Sequence, residues 1–168
     1  MANTFELIAS ATVGSGGASS IDFTSIPSTY TDLVLKISAR TTRANEGDAI
    51  SVSINGVATN QSSRSLEGSG SATGSSTFTS FRTQATGANA TASTFGNSEF
   101  YFPNYAGSAN KSASADGVSE NNGTTAFAWL TANLWSSTSA INQLTITDLN
   151  SATFVQYTTA YLYGVKNA

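Results

Sequence analysis

Residues 32–40 read DLVLKISAR, and in this stretch apolar and polar side chains take turns. Leu33, Leu35, Ile37 and Ala39 fall on one face, and Val34, Lys36, Ser38 and Arg40 on the other. Successive side chains of an extended chain point to opposite sides, so a period of two marks a half-buried strand. The rhythm returns at Ala49–Ile54, with Ile50, Val52 and Ile54 on the inward face. Asn55-Gly56 follows at once. Both central positions of a type I′ turn need positive φ, so this pair predicts a hairpin with Val57 opening the return strand. No stretch longer than a turn repeats every 3.6 residues with capping residues around it, so little helix is expected.

Further strands are expected along the chain. Phe5–Val13 is one, with its alternation broken at Leu7-Ile8. Ile21 and Phe23 mark a short one, and Thr77–Thr83 carries Phe78 among polar neighbours. Glu99–Phe102 is stopped by Pro103, which has no amide donor and suits a strand end or an edge. In Thr124–Trp135, Ala126, Ala128, Leu130, Ala132 and Leu134 share one face, and Phe127, Trp129 and Trp135 the other. Ile141–Leu149 has Leu144 and Ile146 in phase, and Phe154–Val165 puts Tyr157, Tyr161, Tyr163 and Val165 together. Gly68–Ser76 (GSGSATGSS) and Thr83–Thr94 (TQATGANATAST) read as long surface loops. About eight to ten strands joined by turns predict an all-β fold of one domain over residues 1–168. The expected architecture is a two-sheet antiparallel sandwich, jelly-roll-like, with long Gly/Ser/Thr-rich loops.

Composition narrows the chemistry. The chain holds 27 Ser and 24 Thr, yet 39% of its 168 residues are hydrophobic, which is too much for a disordered chain. It has no Cys and no His. Thiolate metal sites, Cys nucleophiles, Ser–His dyads and most zinc sites are therefore excluded. A net charge of −3 supplies no basic surface for phosphates, so no nucleic acid is expected as a partner. No apolar run approaches the ~20 residues of a membrane helix, so no membrane partner is expected either. Met1-Ala2-Asn3-Thr4 has neither a basic n-region nor an apolar h-region, so the expectation is that the chain is made in the cytoplasm of the producing cell without a signal peptide.

Candidate sites are few. Asn45-Glu46-Gly47-Asp48 gathers oxygen ligands but lacks the spacing of a calcium loop, and it reads as a solvated turn. Arg40, Arg43, Arg64 and Arg82 suit either ion pairs with a neighbouring subunit or plain surface charges. Glu99 has Phe100, Tyr101 and Phe102 beside it for sugar stacking, and Asp148 is another carboxylate a glycosidase could use. An exposed strand residue is the simpler reading of Glu99. Tyr30, Tyr101, Tyr105, Trp129, Trp135, Tyr157, Tyr161 and Tyr163 could form a glycan platform or interface anchors, or belong to the core and sandwich edges. No catalytic, cofactor-binding or metal site emerges from this set, and no enzyme is expected.

One longer match adds to this. Phe23–Leu35, FTSIPSTYTDLVL, resembles the SIPxTYTxLxL signature of a family of small tailed-phage virion structural proteins. Arg40-Thr41-Thr42-Arg43-Ala44, Ile54-Asn55-Gly56, Asn104-Tyr105-Ala106, Leu134-Trp135 and the FVQY…LYGVK of Phe154–Lys166 follow in the same order. The resemblance implies a virion structural protein, of capsid decoration (cement) or fibre-tip type. A decoration protein would sit on the outer surface of the head, as a homo-oligomer (trimer or dimer), against the major capsid protein or another virion protein. The alternative is a tail- or head-fibre receptor-binding module that grips host polysaccharide, with glycan as a possible partner. The resemblance carries over no site residues.

Overall fold

The structure, a computed structural model, describes residues 4–122 and 125–166. Twelve strands follow one another along the chain. They are β1 (Phe5–Thr12), β2 (Ser20–Phe23), β3 (Asp32–Ala39), β4 (Gly47–Ile54), β5 (Gln61–Gly68), β6 (Thr73–Phe78), β7 (Phe81–Thr86), β8 (Gly96–Phe102), β9 (Lys111–Ser119), β10 (Phe127–Trp135), β11 (Leu144–Asp148) and β12 (Thr159–Val165). They build an eight-stranded sheet, ordered β1-β12-β3-β8-β9-β10-β5-β6, and a four-stranded sheet, ordered β2-β11-β4-β7. Every strand pairing is antiparallel. The fold is thus an all-β, two-sheet antiparallel sandwich, and the described residues contain no helix.

The apolar core lies between the small sheet and the β12-β3-β8 part of the large one. Leu33, Leu35 and Ile37 of β3 meet Ile50, Val52 and Ile54 of β4, Leu144 and Ile146 of β11, and Phe100 and Phe102 of β8, all buried. Each such side chain removed from water contributes about 1.5–3 kcal/mol. The break at Leu7-Ile8 is a β-bulge: the pairing of β1 with β12 skips a residue between Leu7 and Ala9. Next to the bulge, opposite Glu6, Gly164 makes room for the Tyr30 ring, which a Cβ on Gly164 would approach to 2.3 Å. The Tyr30 hydroxyl donates to Glu6 (3.1 Å), and Glu6 also receives Lys166 (2.8 Å). Gly164→Ala should therefore cost about 1–3 kcal/mol in urea unfolding, and Tyr30→Ala in the same chain should recover part of it.

Several expectations change. Asn55 and Gly56 do take positive φ (53° and 73°), and Ile54 and Val57 bridge across them. No hairpin follows, because β4 pairs with β7 and β11 while the next strand, β5, belongs to the other sheet. Asn55 instead ties the turn to residues 140–143: its Nδ2 donates to the Ala140 carbonyl (2.8 Å), and its Oδ1 accepts from the Asn142 amide (2.9 Å). Gly68–Ser76 is mostly not loop, since β5 ends at Gly68 and β6 starts at Thr73. The expected strand at Thr77–Thr83 is a corner between β6 and β7, which lie in different sheets. Thr83–Thr86 belongs to β7, and the rest of the Thr83–Thr94 segment is fastened by Arg40. That guanidinium donates to the carbonyls of Ala88, Ala90, Thr91 and Thr94 at 2.9–3.1 Å. These corrections bring the strand number above the eight to ten expected. Of Thr124–Trp135, Thr124 lies outside the described residues.

Where β7 crosses β9, β10 and β5, the layer between the sheets is polar. Thr83 donates to Ser98 (2.9 Å), Ser98 to the Gln84 carbonyl (2.8 Å), and Ser63 to the Ser80 carbonyl (2.9 Å). Thr86 and Ser119 hydroxyls meet at 2.8 Å, and the Phe81 amide donates to Gln61 (3.2 Å). The sheets approach so closely here that a Cβ on Gly117 would stand 2.1 Å from Thr83 Oγ1. Only small side chains fit such a gap, and buried hydroxyls are tolerated because they are hydrogen-bonded.

Candidate interaction face

That narrow polar seam forces an inversion on the strands above it. On β10, Thr131, Asn133 and Trp135 point inward and are buried, while Ala128, Leu130, Ala132 and Leu134 point to solvent. Of the two faces that alternation marks on this segment, the aliphatic one is therefore outer and the one with Phe127, Trp129 and Trp135 inner. β5 follows suit: Gln61, Ser63 and Ser65 are buried, and Leu66 is exposed. Leu66 and Leu130 sit directly opposite each other in the β5–β10 pairing, 63% and 56% exposed. Val118 of β9 lies across from Ala128 and is also exposed. Two shallow depressions, of about 370 and 730 Å³, flank the Leu66–Leu130 pair, between Arg64 and Thr77 on one side and Gly68 and Trp129 on the other.

The contrast runs across the whole large sheet. One outer row reads Tyr161, Lys36, Glu99, Asp116, Leu130, Leu66 and Ser75 from β12 to β6. It starts polar and charged and ends apolar. The inner row beside it reads Leu162, Leu35, Phe100, Ala115, Thr131, Ser65 and Ser76, and starts apolar and ends polar. An isolated sheet has no reason to turn leucines to water and hydroxyls to its own interior. Contiguous exposed apolar surface of this kind marks a place where something else binds.

Aromatic side chains collect at the inner margin of the same strands. Phe78 and Trp129 stack with centroids 5.9 Å apart, and the Arg82 guanidinium lies over the Phe78 ring, 4.2 Å from its centroid. Trp129 Nε1 donates to Gln84 (3.0 Å), whose amide in turn donates to the Asp48 carbonyl (2.7 Å), an orientation set by the hydrogen-bond network. Phe127 packs on Gly47, where a Cβ would come within 2.6 Å of the ring. Phe78, Trp129 and Phe127 are half-buried.

The remaining candidates scatter. Glu99 pairs with Lys36 on the outer face, while Phe100 and Phe102 are core residues. Of its aromatic neighbours only Tyr101 shares its face, and the Tyr101 hydroxyl is held by Asp32 (2.8 Å). Glu99 and Asp148 lie in different sheets, so they form no glycosidase pair. Tyr105 and Trp135 are buried, Tyr105 donating to the Pro27 carbonyl. Tyr30 and Tyr163 are half-buried, and Tyr157 and Tyr161 are exposed. Arg40 and Arg43 bond within the chain, Arg82 covers Phe78, and Arg64 stands exposed beside the leucine face.

Asn45–Asp48 is not the solvated turn expected, because Asp48 is 1% exposed. Its carboxylate accepts from Thr41 Oγ1 (2.5 Å), Arg43 (3.0 Å), the Ala49 amide (2.9 Å) and Asn150 Nδ2 (2.8 Å). It also faces Asp148, one hundred positions along the chain, whose Oδ1 accepts the Asn150 and Ala152 amides (2.7 and 2.6 Å). Asp148 Oδ2 is buried and has no partner but the other carboxyl. Burial raises both carboxyls. For Asp48 the hydrogen bonds from Asp148, Thr41, Arg43 and Asn150 outweigh it and hold the group below its ordinary value. For Asp148, burial and the bond to Asp48 hold it above. The two carboxyls titrate as one pair, Asp48 being the one that gives up its proton more readily.

The signs then oppose. The Asp48 contribution is present above the unfolded value of 3.8 and lost as pH falls. The Asp148 contribution is present below 3.8 and is lost as pH rises through its elevated native value. Asp148→Asn removes the carboxyl whose ionisation the fold disfavours. Stability at pH 7 should rise by about 1 kcal/mol and the decline above pH 4 should flatten, read by urea unfolding at several pH values.

Among the described residues no cluster of three or more acidic side chains is placed to hold a metal. No family model, no curated protein and no solved structure matches the chain.

Proposed function

We propose that this chain is a structural protein of a tailed-phage virion, a decoration or cement protein that lies on the outer surface of the head and stabilises the shell. The observation that carries the reading is the inverted polarity of β10 and β5, which leaves Leu66, Leu130 and Leu134 in water above a hydroxyl seam. A passive architectural protein needs such a face to dock on a capsid subunit. The sequence motifs resembling the phage family point to the same setting. The partner is the major capsid protein or a neighbouring virion protein, and the leucine face is the part that disappears into the contact.

Copy number in purified virions tests this. Hundreds of copies per particle, with loss of heat or osmotic resistance when the chain is stripped off, support a shell-wide role. A handful of copies, confined to a tail or vertex, contradicts it.

The second reading is a receptor-binding module that grips host polysaccharide. It is favoured by the half-buried Trp129–Phe78 stack with Arg82 over it and Glu67 opposite Trp129 in the β5–β10 pairing. Aromatic faces bordered by charged hydrogen-bonding groups suit sugar rings. Retention on host-cell glycans that is lost in Trp129→Ala, with the leucine face intact, would favour this reading over the first.

A further inference from the structure

Each sheet has two edge strands, and three of the four are blunted. β1 is broken by its bulge and carries Glu6 paired with Lys166. β2 has four residues, one of them Asp22. β7 is folded onto the large sheet, where Ser98 and Thr131 hydroxyls occupy the carbonyls of Gln84 and Arg82. Bulges, shortness, charge and cover are the means by which proteins keep free edges from pairing. β6, TGSSTF, has none of them. It is six residues long, without charge or proline, and its register with β5 is unbroken from Thr73 to Phe78. No described strand pairs with its other side.

We propose that β6 pairs antiparallel with β6 of a second copy, joining two large sheets into one continuous sheet about a two-fold axis. The occupant is a second copy because a strand laid antiparallel to itself is self-complementary, and this one brings no charge against its own image. The pairing also has a geometric consequence. Leu66 lies one strand in from the edge, on the same face as Ser75. The two leucine faces therefore lie on the same side of the joined sheet, separated by the hydroxyl rows of the two β6 strands. Dimerisation uses backbone groups and the face stays free, so the inference holds whether or not the chain docks on a shell.

Sedimentation of the full chain tests it. At about 100 μM, tenfold above a Kd of roughly 10 μM, about four-fifths of the chains should be dimeric and the weight-average mass about 1.8 times the 17.3 kDa of one chain. Ser75→Lys with Thr77→Lys, both at exposed positions of β6, should return it to a monomer with an unchanged circular-dichroism spectrum. Leu66→Ser with Leu130→Ser should remain dimeric. Amide exchange on the wild type gives a readout without any variant: the outward-facing β6 amides should slow by up to about fivefold between dilute and concentrated samples. A monomer at all concentrations, a dimer indifferent to the lysines, a dimer lost only in the serine variant, or β6 exchange independent of concentration would each overturn the proposal.

Discussion

On the proposed docking to a virion shell, Leu66→Ser with Leu130→Ser is expected to release the chain from the particle and leave the fold as stable as before. Each leucine buried in an interface contributes about 1.5–3 kcal/mol, so losing both should weaken binding by roughly a hundredfold to ten-thousandfold. Substitutions at exposed positions with no other role change stability by only about 0.5 kcal/mol each. Both side chains are more than half exposed in the free chain. Rebinding of the purified variant to stripped particles gives the first number, and urea unfolding the second. The reverse pattern is expected for Leu35→Ala, which should cost about 2–5 kcal/mol of stability from inside the core. A double serine variant that unfolds easily would mean that the outer leucines hold the sheet together, and the docking argument would lose its ground.

Asp48→Ala should be among the most damaging single changes in the molecule, at about 3–5 kcal/mol. It leaves the Arg43 guanidinium, the Thr41 hydroxyl, the Ala49 amide and the Asn150 amide group without their acceptor, at a position that water barely reaches. It also removes the carboxyl that faces Asp148. The contrast with Asp148→Asn is diagnostic. The fold favours ionisation of Asp48, which four donors hold, and disfavours ionisation of Asp148, so an amide is tolerated only at the second position. Chemical unfolding of both variants at pH 7 separates them, and equal losses would contradict this opposition.

Much of the strand layout was legible from alternation. β3, β4 and β11 carry Leu33, Leu35, Ile50, Val52, Leu144 and Ile146 inward, as a period of two demands. Even the fault at Leu7-Ile8 had a physical meaning, since a bulge shifts the phase by one residue. Alternation tells two faces apart without saying which one meets the other sheet. For β10 the aliphatic face turned out to be the outer one, because the facing strand, β7, comes too close to accommodate leucines. That distance is set by Gly117, Ser98 and Thr83, residues from three strands that have no relation in sequence. β6 was hidden by composition, since Gly, Ser and Thr are turn formers as well as tolerated edge residues. The Asp48–Asp148 pair was beyond reach for another reason: nothing local links its halves, and only the β4–β11 pairing brings them together.

Labelling of single cysteines tests the docking face most directly, since the natural chain has none. Ser114, on β9 in the row that runs to Ala132 and Arg64, is exposed on the outer face, and Ser28 is exposed in the segment between β2 and β3. On assembled particles Ser114→Cys should react with maleimide at least about tenfold more slowly than in the free protein, as expected for a group in an interface core, while Ser28→Cys keeps its rate. Equal rates at Ser114→Cys on and off the particle would mean that the leucine face stays in water, and the account would be wrong.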